Sequence, residues 1–193
     1  LSLFNLKQND EFGIFEIGMD KKGEIDYLSK IIKPEVGVIT NISYAHVKNF
    51  KNIKQIALAK SEIIKNIKDG GSIVLNADDK FYNLHKKISK KKKLKVYSFS
   101  INKKNCEVNL NFIKKKNVKY KVSLNINKYK RYFYLNSNFE SDIKNLLAAV
   151  TIISIFKDIK KLDNNIFYDH KTPNGRGDIS KIKMFNKNFN LID

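Results

Sequence analysis

Apolar positions in the first half of the chain follow two alternating rhythms. Phe12 to Ile17, Val36 to Ile42 and Ser72 to Asn76 are short apolar runs, which predicts buried strands. Between them the spacing is helical. Glu24 to Ile32 forms one such stretch, ended before Pro34; in a longer one Ile53, Ile56, Ala57, Ile63, Ile64 and Ile67 recur about a turn apart until Gly70 and Gly71 stop it. Asp79 to Lys91 predicts a further helix. Strands that alternate with helices are the pattern of a parallel sheet covered by helices, so the expected class is α/β with a mostly parallel central sheet.

From Leu94 to Asn136 the period shortens. Lys95 to Ser100, Glu107 to Ile113, Lys119 to Ile126 and Arg131 to Leu135 alternate apolar with polar residues around turns rich in Asn and Lys, which predicts a small antiparallel β subsheet over 94–136. Helical spacing returns at Ser141 to Phe156, with Leu146, Ala149, Val150 and Ile153 on one stripe. A shorter helix is expected at Lys161 to Asp169, then a turn at Thr172 to Gly177 and two strands ending at Asp193. Phe189 to Ile192 reads as the middle of a buried strand and Leu1 is not a methionine, so the chain is expected to be a fragment of a longer protein.

Composition narrows the function classes. The 193 residues are 42% hydrophobic, enough for one domain with a buried core. No run approaches the roughly 18 apolar residues of a membrane span, and Leu1 to Asp10 lacks the signal-peptide pattern, so a cytoplasmic protein with no membrane partner is expected. Cys106 is the single cysteine and has no mate for a disulfide or a metal knuckle. The net charge of +19 would suit a nucleic-acid partner, but only Arg131 and Arg176 of the 38 basic residues are arginine. A lysine-rich solvated surface explains the charge without specific nucleic acid, and a basic nucleic-acid-binding module is kept as the alternative from another class.

Candidate chemistry sits where strands end, the region in which open α/β sheets bind ligands. Glu16 places one carboxylate in an apolar run, where burial would demand a cation: a lysine partner or a metal. His46 follows the second strand and reads as structural or as a ligand. Lys60 lies among small and apolar residues on a helix, from which an ordinary lysine snorkels to solvent. Asn76, Asn145 and Arg176 offer amides and a guanidinium suited to an adenine edge and a phosphate chain. His85 and His170 read as surface residues.

The order of these motifs resembles the Mur ligase family along nearly the whole chain. The carrying residues are Glu16-Ile17-Gly18-Met19 with Gly23-Glu24-Ile25, then Lys33 to Ile42 running into Ala45-His46, then Ala57 to Ile63. Asn76-Ala77-Asp78-Asp79, Asn145 to Ala149, Gly175-Arg176 and Leu191-Ile192-Asp193 follow. The branch most resembled is the one that joins D-alanyl-D-alanine to UDP-N-acetylmuramoyl-tripeptide; other Mur steps and folylpolyglutamate synthases stay open as alternatives.

The resemblance implies the family's central ATP-binding domain, of P-loop type. It implies ATP and Mg2+ as cofactors, and a reaction through an acyl-phosphate in a monomeric enzyme of peptidoglycan synthesis. Glu16 and His46 are then expected to hold a magnesium ion together with Lys60, which would carry a CO2-derived carbamate; Lys60 and His46 count as catalytic. Asn145 is expected at adenine, Arg176 at the phosphates and Asn76 in the nucleotide pocket. The family's Gly-Lys-Ser/Thr loop does not occur in the chain and is expected before Leu1, so this segment alone is expected to be inactive. Phe139 to Asp142 stands where the family usually carries Gly-x-His-Asn.

Overall fold

The computed structural model describes residues 6–43, 49–127 and 129–169, with the backbone of 179–184 and 187–192. Its elements are α1 (Glu24–Ile32), β1 (Val36–Ile39), α2 (Ile53–Lys60), α3 (Glu62–Asn66), β2 (Ser72–Asn76), α4 (Tyr82–Lys91) and β3 (Lys95–Ser100). Then come β4 (Val108–Lys116), β5 (Lys119–Ile126), β6 (Tyr129–Leu135), α5 (Glu140–Phe156), a 3-10 turn (Ile159–Lys161), β7 (Ile179–Met184) and β8 (Lys187–Ile192). None of the described helices is long and apolar enough to cross a membrane.

One six-stranded sheet runs in chain order from β1 to β6. β1 pairs in parallel with β2, and β2 with β3. β4 joins β3 in parallel over Phe99–Val108 and Ser100–Asn109 only, then turns antiparallel to β5, and β5 to β6. β7 and β8 form a separate antiparallel pair. The class is the expected α/β with a mostly parallel sheet carrying an antiparallel extension.

Each face of the sheet has its own apolar cluster, and the strand residues divide between them by the two-residue period. Ile73 and Leu75 of β2 point to one side, where they meet Ile25, Ile56, Ala57, Ala59, Ile64 and Ile67 of the α1–α3 segment. Val74 points to the other, with Phe99, Val108, Val122, Leu124 and Phe133, under Leu146, Leu147 and Val150 of α5. A strand buried on both faces has every residue buried, as β2 does. Gly71 sets how closely its start approaches β1: a Cβ there would lie 2.6 Å from the Glu35 carbonyl and 2.7 Å from that of Lys68.

Four sequence expectations need correction. Among the described residues Phe12 to Ile17 pairs with no strand, and β1 is the end strand of the six-stranded sheet. An apolar run becomes a strand only where a neighbour takes its amides; here Ile14 is 94% exposed and Glu16 is exposed rather than buried. β3 is parallel, not part of an antiparallel subsheet, and 94–136 is continuous with the main sheet. Its alternation reports its two faces, Val96 on one and Tyr97 and Phe99 on the other, and is blind to strand direction. No helix forms at Lys161 to Asp169, because Asp158 and Asp163 turn their carboxylates onto the Lys160 and Asn165 amides and so favour turns.

His85 is the fourth. It is buried, not at the surface, with Nε2 3.0 Å from the Ala57 carbonyl, so α4 is bonded to α2 through its ring. Burial pushes its pKa below the ordinary 6.5, against the opposing effects of the Ala57 hydrogen bond and Asp79 and with a smaller push from Lys60. The unfolded chain then takes up a proton that the folded one resists. This contribution to stability is fully present above about pH 6.5 and falls as pH drops below it.

Two stability measurements on the full-length protein follow. Leu147→Ala, which empties a fully buried position under α5, is expected to cost about 2–5 kcal/mol in urea denaturation. His85→Gln keeps a donor for Ala57 and removes the titration, so its stability is expected to decline less than the wild type's between about pH 7 and pH 5.

Candidate active site at the strand ends

Parallel pairing puts the C-terminal ends of β1, β2 and β3 on one edge, and there the backbone leaves the ladder while side chains take over its hydrogen bonds. Past β1, three consecutive residues are held by three different side chains. Asn76 Nδ2 donates to the Thr40 carbonyl at 3.1 Å, Lys60 Nζ to the Asn41 carbonyl at 2.8 Å, and the Ile42 amide donates to Asp79 Oδ2 at 3.0 Å. The other oxygen of Asp79 accepts the Phe81 amide at 2.7 Å, which links this loop to the entry of α4.

Past β2 a second set forms. Asn76 Oδ1 accepts the Asp78 amide at 2.9 Å, and Asp78 accepts from Ser100 Oγ at 2.6 Å and from the Ile101 amide at 2.7 Å. Lys103 Nζ donates to the Ala77 carbonyl. The three strand ends are therefore stitched into one platform by Asn76, Asp78 and Asp79.

Lys60 closes α2, with buried Ala57 and Ala59 beside it on the helix. Its side chain is half-buried and turned to the Asn41 carbonyl rather than out to solvent. Desolvation lowers its pKa and the charge of Asp79 opposes that shift. A lysine in this state spends more time as the neutral amine, the form that reacts with electrophiles such as CO2.

The structure brings together only some of the sequence candidates. Lys60 and Asn76 share the platform. Glu16 is exposed, but its neighbours Ile17 and Met19 pack into the cluster that also contains Ile56, Ala57 and Ala59 of α2. Asn145 lies exposed on α5, which covers the opposite face of the sheet from Lys60. His46, His170, Arg176, Asp193 and the turn at Thr172 to Gly177 lie outside the described residues.

Among the described residues no three of His, Cys, Asp and Glu gather as a metal group. The expected set differs in kind from such a cluster: one exposed carboxylate, His46, and a lysine that offers oxygen donors only after modification. The depressed pKa of Lys60 suits that modification, and the hard oxygens it would supply with Glu16 suit magnesium.

Sequence reasoning passed over Asp79 as a residue of this platform. Asp79 was visible only as part of Asn76-Ala77-Asp78-Asp79, and nothing local distinguishes a carboxylate that binds the amide two residues on from one that also holds a loop 37 residues away.

The span holding this platform is the one that comparison recognises. A family model described as the Mur ligase middle domain matches residues 1–153. A UDP-N-acetylmuramoyl-tripeptide–D-alanyl-D-alanine ligase of Borreliella burgdorferi is 52% identical over 68 residues, 35% of this chain and 15% of the relative. The fold matches MurF of Acinetobacter baumannii with a TM-score of 0.82 at 24% identity, over 97% of this chain and 40% of that one. MurF of Thermotoga maritima in complex with ADP gives 0.73 at 22% identity, over 86% and 37%. This chain thus spans well under half the length of each of these proteins. The family model covers most of the chain and the overall fold agrees with those MurF structures: the chain belongs to the Mur ligase family, as a middle domain.

Proposed function

We propose that this is the ATP-handling domain of a ligase that joins D-alanyl-D-alanine to UDP-N-acetylmuramoyl-tripeptide, acting as a cytoplasmic monomer in peptidoglycan synthesis. The observation that carries the reading is Lys60, a desolvated lysine held at the strand-end edge by the Asn41 carbonyl. The name of the Borreliella burgdorferi relative supports the choice of branch, and the ADP complex of the Thermotoga maritima neighbour supports the nucleotide.

In this reading the tripeptide's carboxylate oxygen attacks the γ-phosphorus of ATP. An O–P bond forms, the bond to the β–γ bridging oxygen breaks, and ADP leaves an acyl-phosphate. The amine of D-alanyl-D-alanine then attacks the acyl carbon; the C–N bond forms, phosphate departs with the C–O electron pair, and the amine gives up a proton. Both steps bring anions or dipoles into line, so alignment and charge neutralisation matter more than a covalent nucleophile.

The chain's own groups serve that alignment. Neutral Lys60 Nζ adds to CO2, an N–C bond forms and one proton is lost; the remaining N–H still donates to the Asn41 carbonyl and fixes where the new carboxylate points. Asn76 and Asp79 hold Thr40 and Ile42 on either side of that carbonyl. Magnesium held by Glu16, His46 and carbamylated Lys60 would supply positive charge against the phosphate oxygens. Asn145 is assigned to adenine and Arg176 to the phosphates, while Asn76 acts on the nucleotide pocket through the loops it ties together.

Lys60→Ala in the full-length enzyme is expected to lower kcat by about a hundredfold or more, with partial rescue by a small carboxylate such as acetate; undiminished turnover would remove Lys60 from the chemistry. ADP release is expected with UDP-N-acetylmuramoyl-tripeptide plus D-alanyl-D-alanine, and not with a dipeptide precursor or with folate plus glutamate. Turnover on either of the latter instead would move the protein to another branch of the family.

A further inference from the structure

α1 starts without a cap of its own. Gly23 holds the N-cap position with φ at 92° and has no side chain to offer. The amides are taken instead by a residue 39 positions on: both carboxylate oxygens of Glu62 accept from Gly23 N at 3.0 Å, and Oε2 also accepts from Asp26 N at 3.2 Å. One turn later on α3, Asn66 Nδ2 donates to the Asp26 carbonyl and carboxylate at 3.0 Å and to Ser29 Oγ at 2.9 Å. α3 grips α1 through these two positions.

On its other side α1 holds the segment that carries Glu16. Glu24, in the first turn, accepts the Asp20 amide at 2.6 Å and the Lys21 amide at 3.0 Å. Ile17 and Met19 pack into the cluster that contains Ile25 of α1 and Ile56, Ala57 and Ala59 of α2. A Ser, Asp or Asn at position 23 would cap α1 locally. A cap drawn from α3 does something a local one does not: it fixes the start of α1, and the loop bonded to it, relative to Lys60, two residues before Glu62 in the same helical arm.

We propose that Glu62 is a positioning residue: by binding the Gly23 and Asp26 amides it holds the Glu16 segment at a set distance from Lys60, so that the two can serve one metal ion. The inference rests on the metal reading above. Without Glu62 the first turn of α1 loses its long-range cap, and Glu16 and Lys60 lose their shared frame; Asn66 binds Asp26 and Ser29 but not the Gly23 amide, so its loss leaves the cap itself in place.

The test uses the full-length ligase and Mn2+ as probe, with Mn2+ affinity in the presence of ADP measured by electron paramagnetic resonance and Tm measured alongside. Glu62→Ala is expected to weaken Mn2+ affinity about tenfold, as loss of a residue that orients metal ligands does, while Asn66→Ala lowers Tm to a similar extent with affinity within about twofold of wild type. Equal affinities in the two variants would overturn the proposal. Should Glu62→Ala not fold, Glu62→Gln decides: it retains a single acceptor oxygen, and an affinity at least about threefold below that of Asn66→Ala supports the role, whereas parity overturns it. Glu16→Gln separates the two layers of the argument. If it leaves Mn2+ affinity intact, the metal reading fails and the proposal with it; if it weakens affinity and Glu62→Ala does not, only the positioning role fails.

Discussion

The parallel pairing of β1 with β2 is the constraint on which the site depends. It sets Thr40 to Ile42 beside Asn76 to Asp79, and the loops that leave the ladder there are then bound by side chains. Without that register Asn76 would have no Thr40 carbonyl and Asp79 no Ile42 amide. Lys60 would also lose the carbonyl that keeps its amine turned inward, against the pull of solvent on an ammonium group.

Burial on both faces keeps this edge rigid. The α1–α3 segment and α5 close the sheet from opposite sides, so β2 has no solvated face and its end is carried by two apolar clusters at once. The same arrangement places Lys60 and Asn145 on opposite sides of the sheet. A nucleotide contacting both would have to pass over the strand ends, the place where open α/β sheets accept ligands. Some of the lysines are engaged away from this edge. Lys119 sits over the Tyr134 and Tyr168 rings at 4.8 and 4.9 Å, Lys121 over Tyr132 at 4.0 Å, and Lys68 and Lys92 pair with Glu35 and Asp69.

Much of the fold was legible because residue spacing reports local structure: the limits of α1, β2 and β3 fall where periodicity and the Pro and Gly signals put them. What periodicity does not carry is a partner. It made a strand of Phe12 to Ile17, which pairs with no strand among the described residues, and an antiparallel strand of β3, whose direction is set by β2. At the site, Lys60 stood out by its apolar setting and its place in a family motif, and the structure adds the reason that setting matters. The long-range work of Asp79 and Glu62 was not legible. Each reaches across more than 35 residues to a backbone amide, and an amide leaves no mark in a sequence. His85 misled for the opposite reason: among polar helical neighbours it looked solvated, yet it points inward to the Ala57 carbonyl.

The central claim is that the ends of β1 and β2, with Lys60, form the floor of the nucleotide site. A crystal structure of the full-length protein with ADP and Mg2+ tests it most directly. The account predicts the ADP phosphates over the Thr40–Ile42 and Asn76–Asp79 loops, with Lys60 still bonded to the Asn41 carbonyl. Phosphates bound on another face of the sheet, with these loops facing only solvent, would contradict it.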